Sequence, residues 1–294
     1  MPYLYTHQFI CEKVKAQLPE RTQKYVTKLP EYYLGAQGGD VFYLYKLQEC
    51  SKNLGKYLHR ANIKKTFSCF LKSAREENAS VRSYIAGYIT HYAADTVFHP
   101  YIYNLLKTYK TEKDGFKGNR HALIESDIDS YFTQTFLGIA PNEYQYPFEL
   151  SQVDLKDIFN LIDDATSSRT KKHLSYSAFK RSVKNFFKYS AMAVDKSGIK
   201  KKIVFGAEYI FHLPHTLSVL IRRNDYNEKY FNFDKKPWVS PYDDSLVYTD
   251  DINGLFDRAV FESVKHIVRF FDCVEKGELL PSSDFNKQFT GEKE

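Results

Sequence analysis

Cysteine is scarce. Cys11, Cys50, Cys69 and Cys273 are the only four in 294 residues, and they form no CxxC pair. That excludes a disulfide framework and a thiolate zinc site, and leaves reduced, packed thiols as the expected state. Glycine and proline, at 13 and 10, are too few for long linkers. The opening MPYLYTHQFICEKVK lacks a basic segment followed by an apolar core and a small-residue cleavage site, so no export is expected and the cytoplasm is the expected location. A long apolar run is missing too. IVFGAEYIFHLPHTLSVLI, over 203–221, comes nearest, but it contains Glu208, His212, Pro214 and His215 and runs into Arg222 and Arg223. A buried helix is expected there, not a membrane span. The net charge of +6 comes without a dense basic stripe, and Lys200–Lys202, its best run, reads as a solvated helix end. Nucleic acid is therefore not the expected partner.

What is present is a large core. Hydrophobic residues make up 43% of the chain and charged residues 27%, enough for one large or two closely packed globular domains. Helical periodicity dominates, with no alternating strand series and no internal repeat. Helices are expected over roughly 7–18, 40–59, 62–76, 80–99, 119–137, 154–166, 175–193, 200–221 and 254–276, which makes the fold class all-α. Asn78 and Ser80, Ser177, and Asp251 to Gly254 supply start signals. The stretch 224–254, rich in Asn, Asp, Tyr and Pro, reads as an extended surface excursion. A break near IAPNEYQYPFEL divides an amino-terminal helical core, 1–140, from a carboxy-terminal helical layer, 141–294, packed on it as one unit.

The chemistry concentrates in the first half. GYITHYAADTVFHPYIYN sets His91, Asp95 and His99 at intervals of four, so they stack on one helical face. HALIES sets His121 and Glu125 four apart again. His7 in YTHQF, Asp40 after LGAQGG and His59 in KYLHR complete the collection. Imidazole and carboxylate are the ligands that zinc accepts, and two helical pairs in one chain point to a multinuclear metal site. Gly35, Gly38 and Gly39, just before Asp40, allow a tight turn and a close backbone approach. Pro100 is expected to swing His99 off the helical stripe, toward a second ion.

MPYLYTHQF, LGAQGGDVFYLY, AGYITHYAADTVFHPYIY and RHALIESDID, in this order and at these intervals, resemble the zinc-dependent phospholipase C family. The resemblance covers about the first half of the chain. It implies an all-α multi-helix bundle of the phospholipase C and P1 nuclease type, binding two or three Zn2+ for phosphodiester hydrolysis. By the same resemblance, one zinc is held by Asp40, His59, His91 and Asp95, and a second by His99, His121 and Glu125. A third uses His7, with Asp95 bridging and the terminal amine completing it. Asp40 is also the implied general base. The expected substrate is a phosphodiester, with phospholipid one candidate. A P1-like nuclease, a small phosphodiesterase and a non-catalytic metal-binding scaffold are the alternatives.

The remaining residues read more plainly. Asp129 falls on the ligand face of its helix and is a candidate to orient His121. His212 and His215, with Glu208, have the spacing of a metal site, but core or capping roles are the expectation because Pro214 interrupts them. His173 and His266 are expected at the surface. Trp238 reads as a loop anchor, and Tyr32, Tyr33, Phe42 and Tyr45 as core around Asp40.

Overall fold

The computed structural model describes residues 4–46, 53–60, 62–111, 119–195, 197–213, 217–222, 224 and 226–294. Cys50, Pro214 and His215 lie outside these. The fold is all-α. Its helices are α1 (Leu4–Gln17), α2 (Glu20–Gln23), α3 (Leu29–Ala36), α4 (Leu54–Arg60), α5 (Ile63–Ala74), α6 (Ala79–Thr111) and α7 (Arg120–Leu137). Then follow α8 (Leu155–Thr170), α9 (Tyr176–Met192), α10 (Ile199–Ile210), α11 (Leu217–Leu220) and α12 (Ile252–Lys276).

Short polar side chains set many of the starts, each accepting an orphan N–H of the first turn. Asn78 accepts from Val81, Asn119 from Ala122, Asp154 from Lys156 and Asp157, and Asp251 from Gly254. For α9 the cap is Ser175, which accepts from Ala178, and not Ser177. At its other end α7 closes on Gly138, at a φ of 66°.

Four stretches differ from the sequence expectation. The helix expected over 40–59 is a 3-10 turn, Asp40–Phe42, followed by α4, which Asn53 caps at Lys56 N. α6 does not stop at 99 but runs to Thr111 with Pro100 inside it. Proline forfeits one backbone bond there. Burial of Val97, Phe98, Tyr101 and Ile102 around it offsets the loss. The stretch 200–221 is two helices, broken where His212 takes a φ of 52°. The excursion at 224–254 contains a β-hairpin, β1 (Trp238–Ser240) antiparallel to β2 (Asp243–Tyr248), with a bulge at Val239/Ser240. Trp238 is indeed its anchor. The ring is buried, stacks on Tyr248 at 4.7 Å and donates Nε1–H to Asp250 O at 3.1 Å.

The chain forms two compact units. The first comprises Met1–Phe9, Phe98–Tyr146 and Lys188–Leu255; the second comprises Ile10–Val97, Pro147–Phe187 and Phe256–Glu294. In the first, the start of α1 is tied to α7 by Asp129. In the second, Glu31 accepts from Asp154 N and Ser80 Oγ, so α3 is joined to the starts of α6 and α8. α3 and α6 pack with almost no space between them. A Cβ on Gly35 would stand 2.2 Å from Tyr84 O, and one on Gly87 2.0 Å from Tyr32 O. Tyr32, Phe42 and Tyr45 are buried in this unit, Phe42 against Phe179 at 4.8 Å, as core around Asp40.

Candidate metal centre

Four ligand-type side chains meet in the second unit. α6 carries His91 and Asp95 one turn apart, α4 ends with His59, and the 3-10 turn opens on Asp40. All four are buried. His59 Nε2 lies 3.2 Å from His91 Nε2, 3.4 Å from Asp40 Oδ1 and 3.6 Å from Asp95 Oδ2, and His91 Nε2 is also 3.6 Å from Asp95 Oδ2.

The protonation of His59 follows from its other nitrogen. Nδ1 is 2.7 Å from Gly55 O, a carbonyl that can only accept, so Nδ1 carries the proton and donates it. In the neutral ring Nε2 is then a bare lone pair facing a second imidazole nitrogen and two carboxylate oxygens. Such a cluster calls for a cation. Zinc suits Asp40, His59 and His91, one ligand atom of each lying within 4.8 Å of the others, and the 3.2–3.6 Å distances around His59 Nε2 are close to the ~3.3–3.6 Å between ligands of a tetrahedral zinc.

The sequence before Asp40 makes the room. Gly38 has a φ of 53°, and a Cβ on it would stand 1.9 Å from His91 Cδ2. One on Gly39 would stand 2.8 Å from His59 Cε1. Any side chain at either position displaces an imidazole. The far edge is closed by Phe289, whose ring centroid lies 4.6 Å from that of His59 and 5.6 Å from that of His91. Nothing in NKQFTGEKE marked Phe289 in advance, because its partners are two hundred residues away in sequence.

A second grouping lies in the first unit. His121 and Glu125 stand one turn apart on α7, and His99 comes from the stretch of α6 that belongs to this unit. One ligand atom from each falls within 4.8 Å of the others. Glu125 Oε1 is 2.5 Å from His121 Nε2 and 3.8 Å from His99 Nε2. Glu125 is fully buried, and neither oxygen receives a hydrogen bond of good geometry. Burial pushes its carboxyl well above the usual carboxylate range. A buried carboxyl group set against two imidazole nitrogens is the donor set of a cation site. His99 reaches it while remaining helical, so Pro100 does not swing it aside. The reason is the neighbours: buried apolar residues on both sides of Pro100 fix the helix. Tyr103 lies beside both rings, 5.7 Å from His99 and 5.4 Å from His121 between centroids. His99 and His121 keep partial exposure, leaving this site approachable from solvent.

A family model described as zinc-dependent phospholipase C matches residues 6–197. The chain belongs to the zinc-dependent phospholipase C family. The match runs well past the first half, taking in α8 and α9, so the membership extends beyond the four motifs that carry the resemblance. No curated protein and no solved structure matches the chain. Family membership gives the two groupings their context, since zinc is the ion in the family's description.

The remaining expected residues are placed as follows. His7 is buried on the second turn of α1. Asp129 does not serve His121: it accepts from Tyr5 N at 3.2 Å, Thr6 N at 2.8 Å and Thr6 Oγ1 at 2.7 Å, capping α1. Glu208 is a cap as well, taking Leu217 N, Ser218 N and the Ser218 hydroxyl. His173 is exposed, and its ion pair with Asp163 raises its pKa. His266 is not a surface residue; its ring packs 5.1 Å from Phe285, and burial lowers its pKa.

Proposed function

We propose that this protein is a zinc-dependent phosphodiester hydrolase of phospholipase C type. The observation that carries the reading is the grouping of Asp40, His59 and His91, one ligand atom of each within 4.8 Å of the others, with Asp95 Oδ2 3.6 Å from both imidazole nitrogens, in a member of this family. Asp40, His59, His91 and Asp95 hold one ion, and His99, His121 and Glu125 a second. His7, as the resemblance implies, belongs to a third. Bound zinc lowers the pKa of water and neutralises charge on phosphate oxygens.

The chain's own groups do the rest. Asp40, at one carboxylate oxygen, takes the proton of the attacking water. Gly55 O, by holding the Nδ1 proton of His59, keeps Nε2 free as a ligand. Phe289 keeps water off the covered edge of His59 and His91. Attack of water at phosphorus opposite the diacylglycerol oxygen breaks that P–O bond, and the departing alkoxide takes up the proton the water gave, leaving diacylglycerol and a phosphorylated headgroup, the phospholipase C products.

The test combines composition with turnover. Elemental analysis of untagged protein should find about two or three zinc ions per chain, and a chelator should abolish hydrolysis in a phosphodiester panel. The panel contains phosphatidylcholine, bis(p-nitrophenyl) phosphate and a short oligonucleotide. Cleavage of the oligonucleotide alone identifies a nuclease, and zinc without turnover identifies a scaffold. Zinc-free protein of full activity refutes the proposal.

A further inference from the structure

Residues 199–213 and Leu217 are not part of the buried helix that the composition suggests. Their inward side is small: Glu208 is buried and committed to the start of α11. Their outward side is apolar. Ile199, Ile203, Tyr209, Ile210, Phe211 and Leu217 are each more than half exposed. Ile199, Ile203 and Ile210, at i, i+4 and i+11, fall on one line along α10. Met192, at the end of α9, extends the surface; it is 57% exposed, and Lys200 Nζ donates to its carbonyl. Single exposed apolar residues need no explanation, but a contiguous face of this size in a folded protein marks something that covers it.

The charge around the face says what. From 196 to 223 the sequence holds one carboxylate, Glu208, and it is buried, as is Arg222, which donates to Ser190 O. Lys188, Lys200 and Lys202 are exposed. A second copy of the chain on this face would set these cations against their own counterparts, so self-association is disfavoured. α10 has 12 residues, too few to span a bilayer, and no helix among the described residues is long and apolar enough to do so. A short helix with an apolar outward face, aromatic residues at its end and lysines beside it has the composition of an element lying in a membrane interface.

We propose that the outward face of α10, with Phe211 and Leu213 after it, docks on an anionic lipid surface. Ile203, Ile210 and Phe211 enter the acyl boundary, and the lysines meet the headgroup charge. None of the proposed zinc ligands takes part, so docking is separable from hydrolysis.

The experiment is vesicle flotation with the full chain, on phosphatidylcholine alone and on phosphatidylcholine with phosphatidylserine. The protein should float with the anionic vesicles, less at high salt. Ile203→Asp together with Phe211→Asp should cut the bound fraction by ~10-fold or more, with zinc content and thermal midpoint unchanged. Lys202→Glu should weaken binding to anionic vesicles only. The proposal is overturned by no flotation with either vesicle, by equal flotation with both, or by a double variant that floats like the parent. A dimer in light scattering that the same substitutions disperse also overturns it.

Discussion

Two residues decide whether the second unit holds a cluster of ligands or a set of ordinary side chains. Gly38 leaves the space that the His91 ring fills, and the Gly55 carbonyl fixes the tautomer of His59. With both in place, Asp40 Oδ1 stands 3.4 Å from a lone-pair nitrogen, in position to share its cation. Asp40→Asn preserves the shape and one oxygen but removes the charge and the base. Zinc content should hold near the parent value while turnover of a soluble phosphodiester falls ~10²–10⁴-fold. Metal and rate must be measured on one sample, since lost zinc mimics a lost base. A fully metallated Asp40→Asn variant as fast as the parent removes Asp40 from the mechanism.

At the level of elements, capping carboxylates replace some of the functional roles that spacing suggests. Asp129 lies one turn beyond Glu125, yet it is occupied with the first turn of α1. Arg222 stands over the Tyr5 ring, 4.1 Å from its centroid, and keeps a positive charge near Asp129. Burial nevertheless raises the Asp129 pKa, so desolvation outweighs the three donors and the arginine. Removing the side chain strands two buried N–H groups. Asp129→Ala should cost about 2–4 kcal/mol and Thr6→Ala about 1 kcal/mol in urea unfolding, because buried donors left without an acceptor pay their full desolvation. Equal, small losses from both would show that α1 is held by packing alone. Glu208 works in the same way for α11, accepting from Leu217 N and Ser218 N.

For the whole molecule, metal and pH are coupled with a definite sign. Without a cation, burial raises the Glu125 carboxyl, so the fold prefers it protonated. Its contribution to stability is then greatest below the unfolded value near 4.3 and is lost as pH rises through the raised folded value. Zinc reverses this. It requires Glu125 ionised and the histidines neutral, so protons compete with the metal throughout the acid range. The rise in thermal midpoint on adding zinc should therefore grow between pH ~5 and ~7.5, read by scanning fluorimetry with and without chelator. A zinc effect that is flat or falls over that range would remove ionised Glu125 and neutral imidazoles from the metal site.

The helical class, the caps at Asn78 and Asp251 and the residue types at the centre were legible in the sequence. Those are local properties: periodicity follows from 3.6 residues per turn, and His91 with Asp95, or His121 with Glu125, share a face at a spacing of four. The rest was not legible there, because each remaining feature depends on contacts between residues far apart in the chain. Pro100 stays helical since buried neighbours repay its lost hydrogen bond. Asp129 is a cap since α1 arrives beside it from 123 residues away. Phe289 covers His59 and His91 from the far end of the sequence, and the apolar run after Ile199 faces outward because what packs beneath it is one buried glutamate and the start of α11. Hydrophobic content specifies that a surface will be covered, and the fold specifies which surface the chain leaves for something else to cover.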